Sequence, residues 1–395
     1  MLKFKTFLKE QAEAAQEQAA AHLKHLTHTN MHHIDEGEPG FHKAIQMLNA
    51  VHQHITSGGH NETKITTKYD GSPSIVFGHH PQTGKFFVAT KSAFNKNPKL
   101  NYSEADIEAN HGHAPGLVQK MKEALKHLKK VAPKKGVYQG DMMYGEGDVK
   151  HEGDKASFTP NTITYTAHGD EAKKVKKSKL GVVVHSMYHG PTLETMRVSP
   201  DPDLHNFGKH SDVNVIDPEI DMSKVKHDKE NEKAFQEHIA AAHKIHKSMP
   251  HDSLDVVKSH SEHLNTYLND TVRTGEVPSV KGYKNHLTKK FNKEMDKRSS
   301  EKGKAAVQDK LSQHLAHVDA HNKHFESALK IHHHLQQAKN ALVKSLASSQ
   351  KFETHIGETP TADEGIVASH PVHGMTKLVN QEDFSRANLL KTRNK

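Results

Sequence analysis

The sequence contains no cysteine among its 395 residues. This absence excludes disulfide bonds, thiolate nucleophiles and cysteine-ligated zinc sites, and it is compatible with a reducing compartment. No apolar run approaches the roughly 20 residues that are needed to span a bilayer. The amino-terminal segment 1–5 leads into a polar stretch without the apolar core of a signal peptide. We therefore expect a cytoplasmic protein without a membrane partner.

Apolar residues are scarce as well. Hydrophobic residues make up 33% of the chain and the mean hydropathy is −0.81, so part of the length should be exposed helix. The length still allows two or three domains, each with its own core. Lysine and arginine outnumber aspartate and glutamate by 55 to 47, which gives a net charge of +8. This excess agrees with an anionic partner such as nucleic acid, and equally with a solvated basic surface.

The pattern of the sequence changes three times along the chain and predicts an α+β fold. Helical periodicity predicts one helix over 4–26 and another over 41–56, separated by a break at 36–40. Short β-branched and aromatic runs between Gly, Pro and Asn predict strands, including one over 85–92. The four predicted ranges are an N-terminal helical segment 1–58, the first part of a sheet domain 59–222, an inserted helical domain 223–350, and the second part of the sheet domain 351–395.

The predicted insertion is rich in charge and histidine. A heptad-like apolar spacing predicts a helix packed along another helix, through Leu311, Leu315, Val318, Phe325 and Leu329. Four histidines recur beside them on one stripe, namely His314, His317, His321 and His324. Imidazoles at such spacing can bind a transition metal. Because no carboxylate accompanies them, a solvated or interface stripe is the favoured interpretation.

An ionisable pair stands at the bend of a predicted hairpin over 64–78. Lys68 and Asp70 share one side of the extended chain where it turns. One interpretation is a buried ion pair that holds the turn. The other is that Lys68 is a nucleophile that attacks a metal-bound phosphate. The spacing of these residues alone leaves both interpretations open.

The segment 68–71, Lys-Tyr-Asp-Gly, resembles the Lys-x-Asp-Gly nucleotide-attachment motif of the covalent nucleotidyltransferase superfamily. That superfamily comprises the ATP-dependent DNA and RNA ligases and the mRNA capping enzymes. Three later segments resemble its other motifs in the same order. Segment 136–144 resembles a strand with aromatic-x-Gly and an acid, 364–367 resembles the Glu-Gly-hydrophobic-Val strand, and 377–379 resembles the final lysine strand.

The resemblance implies a role for each matching residue. Lys68 would be the nucleophile that attacks the α-phosphorus of ATP. Lys91 matches, by its position after the motif, a cationic residue of the family that helps to position the nucleotide. The alternative interpretation is that Lys91 is a surface lysine at the end of a strand. His185 or Tyr188 would stack on the base. The residues expected to contact the nucleotide are Asp70, Gly71, Lys91, Asp141, His185, Glu364 and Lys377. Asp141, which stands where the family commonly has glutamate, and Glu364 would also bind Mg²⁺ or Mn²⁺.

The resemblance further implies a ligase-type nucleotidyltransferase domain with antiparallel sheets. The expected function is an ATP-dependent polynucleotide ligase that joins a nucleic acid bearing a 5′-phosphate end through a lysine-AMP intermediate. RNA is the expected substrate because only 18 residues follow Lys377, too few for the OB domain of DNA ligases. The insertion would then hold the polynucleotide, or serve as a spacer or an assembly surface.

The chain also resembles ligase-like proteins of large tailed bacteriophages, which would place it in the host cytoplasm. Two other functions stay open. The protein could adenylylate a target other than nucleic acid, or it could be a non-catalytic virion or binding protein that keeps the fold. The sequence does not decide the oligomeric state.

Overall fold

The structure is a computed structural model that describes residues 26–199, 202–226 and 228–379. The strands are β1 (Lys64–Lys68), β2 (Ser74–His79), β3 (Phe86–Ala89), β4 (Val137–Tyr144), β5 (Lys150–Glu152), β6 (Lys155–Phe158), β7 (Thr164–Ala167), β8 (Leu180–His189), β9 (Arg197–Ser199), β10 (Val213–Ile216), β11 (Glu353–Ile356), β12 (Thr359–Pro360), β13 (Gly365–His370) and β14 (Gly374–Val379). The helices are α1 (His32–Asp35), α2 (Glu38–Thr56), α3 (Glu104–His111), α4 (Pro115–Leu128), α5 (Gly169–Lys177), α6 (Lys229–Ser248), α7 (Ser253–Lys258), α8 (Ser261–Thr274), α9 (Val280–Asp296), α10 (Glu301–Ala320) and α11 (Asn322–Ser345). The fold is therefore α+β, as predicted.

The chain divides into two compact units that alternate along the sequence. The sheet unit comprises the described residues of Thr67–Glu219 and Gln350–Asp363. The helical unit comprises those of Leu26–Thr66, Ile220–Ser349 and 364–379. This division differs from the predicted ranges, because the first described helices and the last two strands group with the inserted helices. The helix predicted over 4–26 lies outside the described residues, apart from its last position.

A mixed sheet forms the middle of the sheet unit, with the strand order β10-β8-β4-β2-β3 and with β9 beside β8. Its neighbours run antiparallel except β8 and β10, which are parallel. Side chains alternate along β2, so Ile75 and Phe77 face one side and Val76 the other. The first side packs against α3 and α4 through Ile107, Val118, Met121, Ala124 and Leu128. Three- and four-residue steps place the α4 members of this set on one helix face.

A second sheet of the same unit has the order β12-β11-β7-β6-β5. Aromatic rings gather against it. Tyr165 lies 5.7 Å from Tyr69, 5.7 Å from Phe158 and 6.0 Å from Phe352, measured between ring centroids. Tyr69 belongs to the Lys-Tyr-Asp-Gly segment, so this aromatic cluster anchors one side of the bend between β1 and β2. The predicted hairpin over 64–78 was wrong, because β1 pairs with β13 whereas β2 pairs with β3 and β4 in another sheet.

The helical unit is built around a single hydrophobic core. Helix α11 crosses it with Phe325, Leu335 and Leu342, and α2 adds Phe41 and Leu48. Strands of the sheet β1-β13-β14 contribute to the same core through Ile65, Ile366 and Leu378. The inserted helices therefore share their core with segments from both ends of the described chain, instead of folding around a core of their own.

Two predicted boundaries were wrong for local reasons. Helix α2 begins at Glu38, because Gly37 adopts a φ of +71° at the N-cap and Pro39 fits the first helical turn. The predicted helix through Leu311 and Leu329 is two helices, α10 and α11. They separate at His321, whose φ of −114° and ψ of 28° leave the helical region.

Candidate active site

The bend between β1 and β2 is held by the carboxylate of Asp70, which is buried. This carboxylate accepts hydrogen bonds from Asn161 Nδ2 at 2.8 Å, from the Thr162 amide at 2.7 Å and from the Ile163 amide at 3.1 Å. The Asp70 amide donates to the Tyr165 hydroxyl at 2.8 Å. Both carboxylate oxygens are thus engaged by the segment that precedes β7, and the bend that follows Lys68 is fixed in place.

Gly71 allows this bend to approach β4. A Cβ atom at Gly71 would lie 2.6 Å from the Cβ of Asp141 and 3.1 Å from the Met143 sulfur. Such contacts are too short for any side chain, so glycine is required by close approach. The Ser72 amide also donates to the Met142 carbonyl at 2.9 Å. The Lys-Tyr-Asp-Gly segment and the predicted acid of β4 are therefore neighbours in the fold.

Asp141 is the centre of a polar group that we call the Lys68 cluster, made of Lys68, Ser74, Asp141 and His185. Burial by itself would raise the pKa of the half-buried Asp141 carboxyl, but His185, the Ser74 hydroxyl and the Lys68 ammonium together lower that pKa below its usual value. His185 Nε2 lies 3.7 Å from Asp141 Oδ2. The carboxylate is consequently ionised at neutral pH beside a cationic lysine.

The position of His185 depends on an irregularity in β8. Val184 pairs with Gly140 and Ser186 pairs with Gln139, so His185 is the extra residue of a β-bulge. A bulge of this kind redirects a side chain without ending the strand. The His185 ring accordingly reaches Asp141 while its Nδ1 lies 2.9 Å from the Ser186 hydroxyl. His185 stays half-exposed, as a residue that contacts a ligand must be.

Two hydrogen bonds and one ring contact connect Ser74 of the cluster to the short segment that contains Lys91. Gln139 Nε2 donates to Ser74 Oγ at 3.0 Å, and the Tyr188 hydroxyl donates to Gln139 Oε1 at 2.6 Å. The buried Tyr188 ring lies 4.3 Å from the Phe94 ring. Packing thus occupies Tyr188, which leaves His185 as the candidate for base stacking.

Lys91 lies just beyond the end of β3. The strand stops at Ala89, earlier than predicted, and Lys91–Phe94 forms a short 3₁₀ helix. Thr90 caps this helix by accepting from the Ser92 amide at 3.3 Å. Lys91 is half-buried. Its predicted contact with the nucleotide stays a prediction.

Glu364 and Lys377 belong to the helical unit, where they stand on neighbouring strands. Gly365, which follows Glu364, has a φ of +151°, and a Cβ there would lie 2.2 Å from the Leu378 carbonyl oxygen. Lys377 pairs with Val367, and its amide donates to the Thr27 carbonyl at 3.2 Å. The Glu-Gly pair and the lysine strand are thus adjacent. Their action together with Lys68 stays a prediction.

One family model matches residues 23–393, and its description is a family of unknown function, DUF6267. The chain belongs to this family. No curated protein and no solved structure matches the chain significantly. The DUF6267 chain has no described helix that combines the length and the apolar character of a membrane span.

Sequence reasoning missed two polar members of the site. Ser74 is the register partner of Asp141 on β2, and Gln139 precedes it by two residues on β4. A signal was present for Gln139, because it precedes Asp141 by two residues in a predicted strand, and residues two apart face the same side of a strand. The partners of Asp70 at 161–163 carried no such signal, since they lie about 90 residues away in sequence.

Asp70→Ala should destabilise the sheet unit of this DUF6267 chain by about 2–5 kcal/mol, because it leaves the buried Thr162 and Ile163 amides without their acceptor. Urea unfolding measures this loss. Asp154→Ala, which removes an exposed carboxylate from the same unit, is the matched control and should change stability by less than about 0.5 kcal/mol. Equal unfolding midpoints for the two variants would contradict the stabilising role of the Asp70 hydrogen bonds.

Proposed function

We propose that the protein is an ATP-dependent nucleotidyltransferase that forms a lysine-AMP intermediate on Lys68. The observation that supports it best is the Lys68 cluster, in which the Lys68 charge acts on an ionised Asp141 carboxylate at the end of β1. The hydrogen bonds of Asp70 and the close approach of Gly71 to Asp141 fix the bend that follows this lysine. A preorganised lysine of this kind is what attack on a phosphoryl group requires.

In the proposed step, the Lys68 amine first loses its proton to solvent and then attacks the α-phosphorus of ATP. A nitrogen–phosphorus bond forms, the bond from that phosphorus to the bridging oxygen breaks, and pyrophosphate leaves with the bonding pair. Asp141 would hold the ribose or a metal ion, and the half-exposed His185 ring would stack on the base. Lys68 thereby carries AMP as a phosphoramidate.

The residues present fit one magnesium ion. Mg²⁺ in nucleotide sites commonly takes one or two carboxylates and completes its octahedron with phosphate oxygens and water. Asp141 is ionised and half-exposed, whereas the Asp70 oxygens are engaged within the protein. Asp141 would therefore hold the ion, which is the role that the family resemblance implies for it. The ion would neutralise charge on the phosphoryl oxygens.

The proposed acceptor is a polynucleotide, with RNA preferred, that carries a 5′-phosphate. A second candidate is a target other than nucleic acid, and helix α4 favours it. The lysines of α4 that a phosphate backbone would need are paired with acids: Lys120 with Asp148, Lys122 with Glu108 and Lys126 with Glu146. Lysines that already pair with carboxylates bind a polyanion more weakly than lysines without such partners.

Incubation with α-³²P-labelled ATP and Mg²⁺ tests the first step. We expect a protein-bound label that acid releases and alkali does not, as for a nitrogen–phosphorus bond. A chase with 5′-phosphorylated RNA, the same DNA sequence, or buffer then identifies the acceptor. Transfer of the label to RNA supports a ligase, and a label that persists in every chase supports another target. Absence of label would contradict the proposal.

Asp141→Asn should lower the rate of labelling by about 100-fold, because the change removes the negative charge expected to hold the ion or the ribose. The matched control is Asp212→Asn. Asp212 pairs with Lys130 in the same unit and lies outside the Lys68 cluster. The control should label at the wild-type rate, and equal rates for both variants would remove Asp141 from the site.

A further inference from the structure

Three side chains of the helical unit converge without any role in the nucleotidyl chemistry. Glu38 and His42 lie one turn apart on α2, and His246 approaches them from α6. Each contributes one ligand atom, and these three atoms all lie within 4.8 Å of one another. His42 Nε2 is 3.1 Å and His246 Nε2 is 2.7 Å from the same oxygen, Glu38 Oε1.

We propose that Glu38, His42 and His246 bind one divalent transition-metal ion of the Zn²⁺ class. Two imidazoles and one carboxylate are a common ligand set for such ions, with a water molecule in the fourth position. Bonds of about 2.0–2.2 Å place tetrahedral ligand atoms about 3.3 Å apart. The His246 Nε2–Glu38 Oε1 separation of 2.7 Å would therefore open by about 0.6 Å, and the His42 Nε2–Glu38 Oε1 separation of 3.1 Å by about 0.2 Å.

The surroundings of the three residues fit this assignment. The Phe41 ring stacks on the His246 ring with centroids 4.1 Å apart and planes inclined by 10°, which fixes the orientation of the imidazole. Ligand rings held by such outer contacts lose little freedom on binding. The side chains of His42, Glu38 and His246 are 57%, 33% and 22% exposed, so an ion can reach the ligand atoms from solvent.

The charge balance also favours a cation. With both imidazoles neutral, the three residues carry the single negative charge of Glu38, and a divalent ion would replace the hydrogen bonds that now hold the ligand atoms together. The ion would connect residues 208 positions apart in sequence. It would thus cross-link α2 to α6, and its remaining coordination position would face solvent.

The test must separate this site from the other histidines, of which the chain has 38. Chelator-treated protein is titrated with Zn²⁺ in competition with a chromophoric chelator, which reveals only tight sites, and Co²⁺ absorption reports the ligand geometry. We expect one tight site per chain. His42→Ala, a change at the most exposed ligand, should weaken it at least about 10-fold, as should Glu38→Gln. Circular dichroism verifies that both variants are folded.

The matched control is the double variant His370→Ala/His373→Ala. It removes two histidines whose rings stack 4.4 Å apart in the same unit. The control should keep the tight site and its Co²⁺ spectrum. Equal affinity losses in the control and in His42→Ala, or wild-type affinity in His42→Ala, would show binding by surface histidines and overturn the proposal.

Discussion

Lys68→Ala should abolish labelling by α-³²P-labelled ATP and should leave the unfolding curve nearly unchanged. Alanine has no amine to form the nitrogen–phosphorus bond, so no covalent intermediate can accumulate. Lys68 is half-buried, and its loss should cost no more than about 1 kcal/mol of stability. The measurement is the amount of label per folded protein, with urea unfolding of the same preparation.

Two further variants separate charge from nucleophilicity. Lys68→Arg keeps a cation beside Asp141 but cannot attack phosphorus at neutral pH, so it should also fail to label. Lys64→Ala, at the exposed start of the same strand, should label as wild type. Full labelling of Lys68→Ala would assign the nucleophile elsewhere. Unfolding of Lys68→Ala, with retained folding of Lys68→Arg, would favour the structural ion pair.

The elements that could be predicted from sequence are those whose cause is local. The α+β class, helix α2 and the two strands on either side of the Lys68 bend follow from periodicity and from glycine and proline positions, whereas their pairing as a hairpin was wrong. Gly71 was expected at the nucleotide only through the family resemblance, and the structure gives it a physical reason, namely its approach to Asp141. The resemblance of segment 136–144 to a family strand also predicted that Asp141 would fall on a strand, and it lies on β4.

What could not be predicted depends on partners that are distant in sequence. Nothing local shows that the Asp70 carboxylate accepts from residues 161–163, or that β13 and β14 share a core with the inserted helices. The shared core also decides how the expected role of the insertion can be tested. Replacement of residues 225–350 by a short linker would expose apolar residues such as Phe41 and Ile366. The hypothesis that the insertion holds the polynucleotide therefore needs point variants on the helix surfaces instead.

We expect the helical unit to lose stability in mild acid because of its buried histidines. Burial lowers the pKa of His33 to about 4, although the Ala328 carbonyl, 3.2 Å from its Nε2, opposes this shift. Its Nδ1 is buried without a hydrogen-bond partner in the described structure. Burial also lowers the pKa of His332 well below its usual value, reinforced by His33 and Lys339. Both rings are therefore neutral in the folded unit.

His260 forms a second buried centre. Burial, and to a smaller extent four neighbouring histidines, lower its pKa to about 4. These histidines are His314, His317, His263 and His321. The His317 ring stacks on the His260 ring with centroids 5.0 Å apart. The Nδ1 atom of His260 lies 2.9 Å from the Tyr283 hydroxyl. Lys290, 2.9 Å from His263 Nδ1, adds a cation nearby. The histidine stripe, which was predicted to be solvated or to lie at an interface, is thus in part packed against His260.

The direction of the pH effect follows from these pKa values. Between pH 6.5 and 4 the unfolded chain takes up protons at His33 and His260, whereas the folded unit does not. Stability is therefore present above pH 6.5 and is lost as the pH falls to 4, by about 3 kcal/mol for each of the two residues. Since a domain has about 5–15 kcal/mol in total, we expect the helical unit to unfold in this range.

Urea unfolding followed by far-ultraviolet circular dichroism, at pH values from 8 to 4.5, measures this loss. His260→Gln keeps a polar side chain near Tyr283 but cannot be protonated, so it should reduce the pH dependence by about 3 kcal/mol even where it lowers stability at pH 8. His60→Gln, at an exposed position of the same unit, should keep the wild-type slope. If the slope of His260→Gln equals that of His60→Gln, then acid unfolding does not arise from the buried histidine contact, and carboxylates become its source.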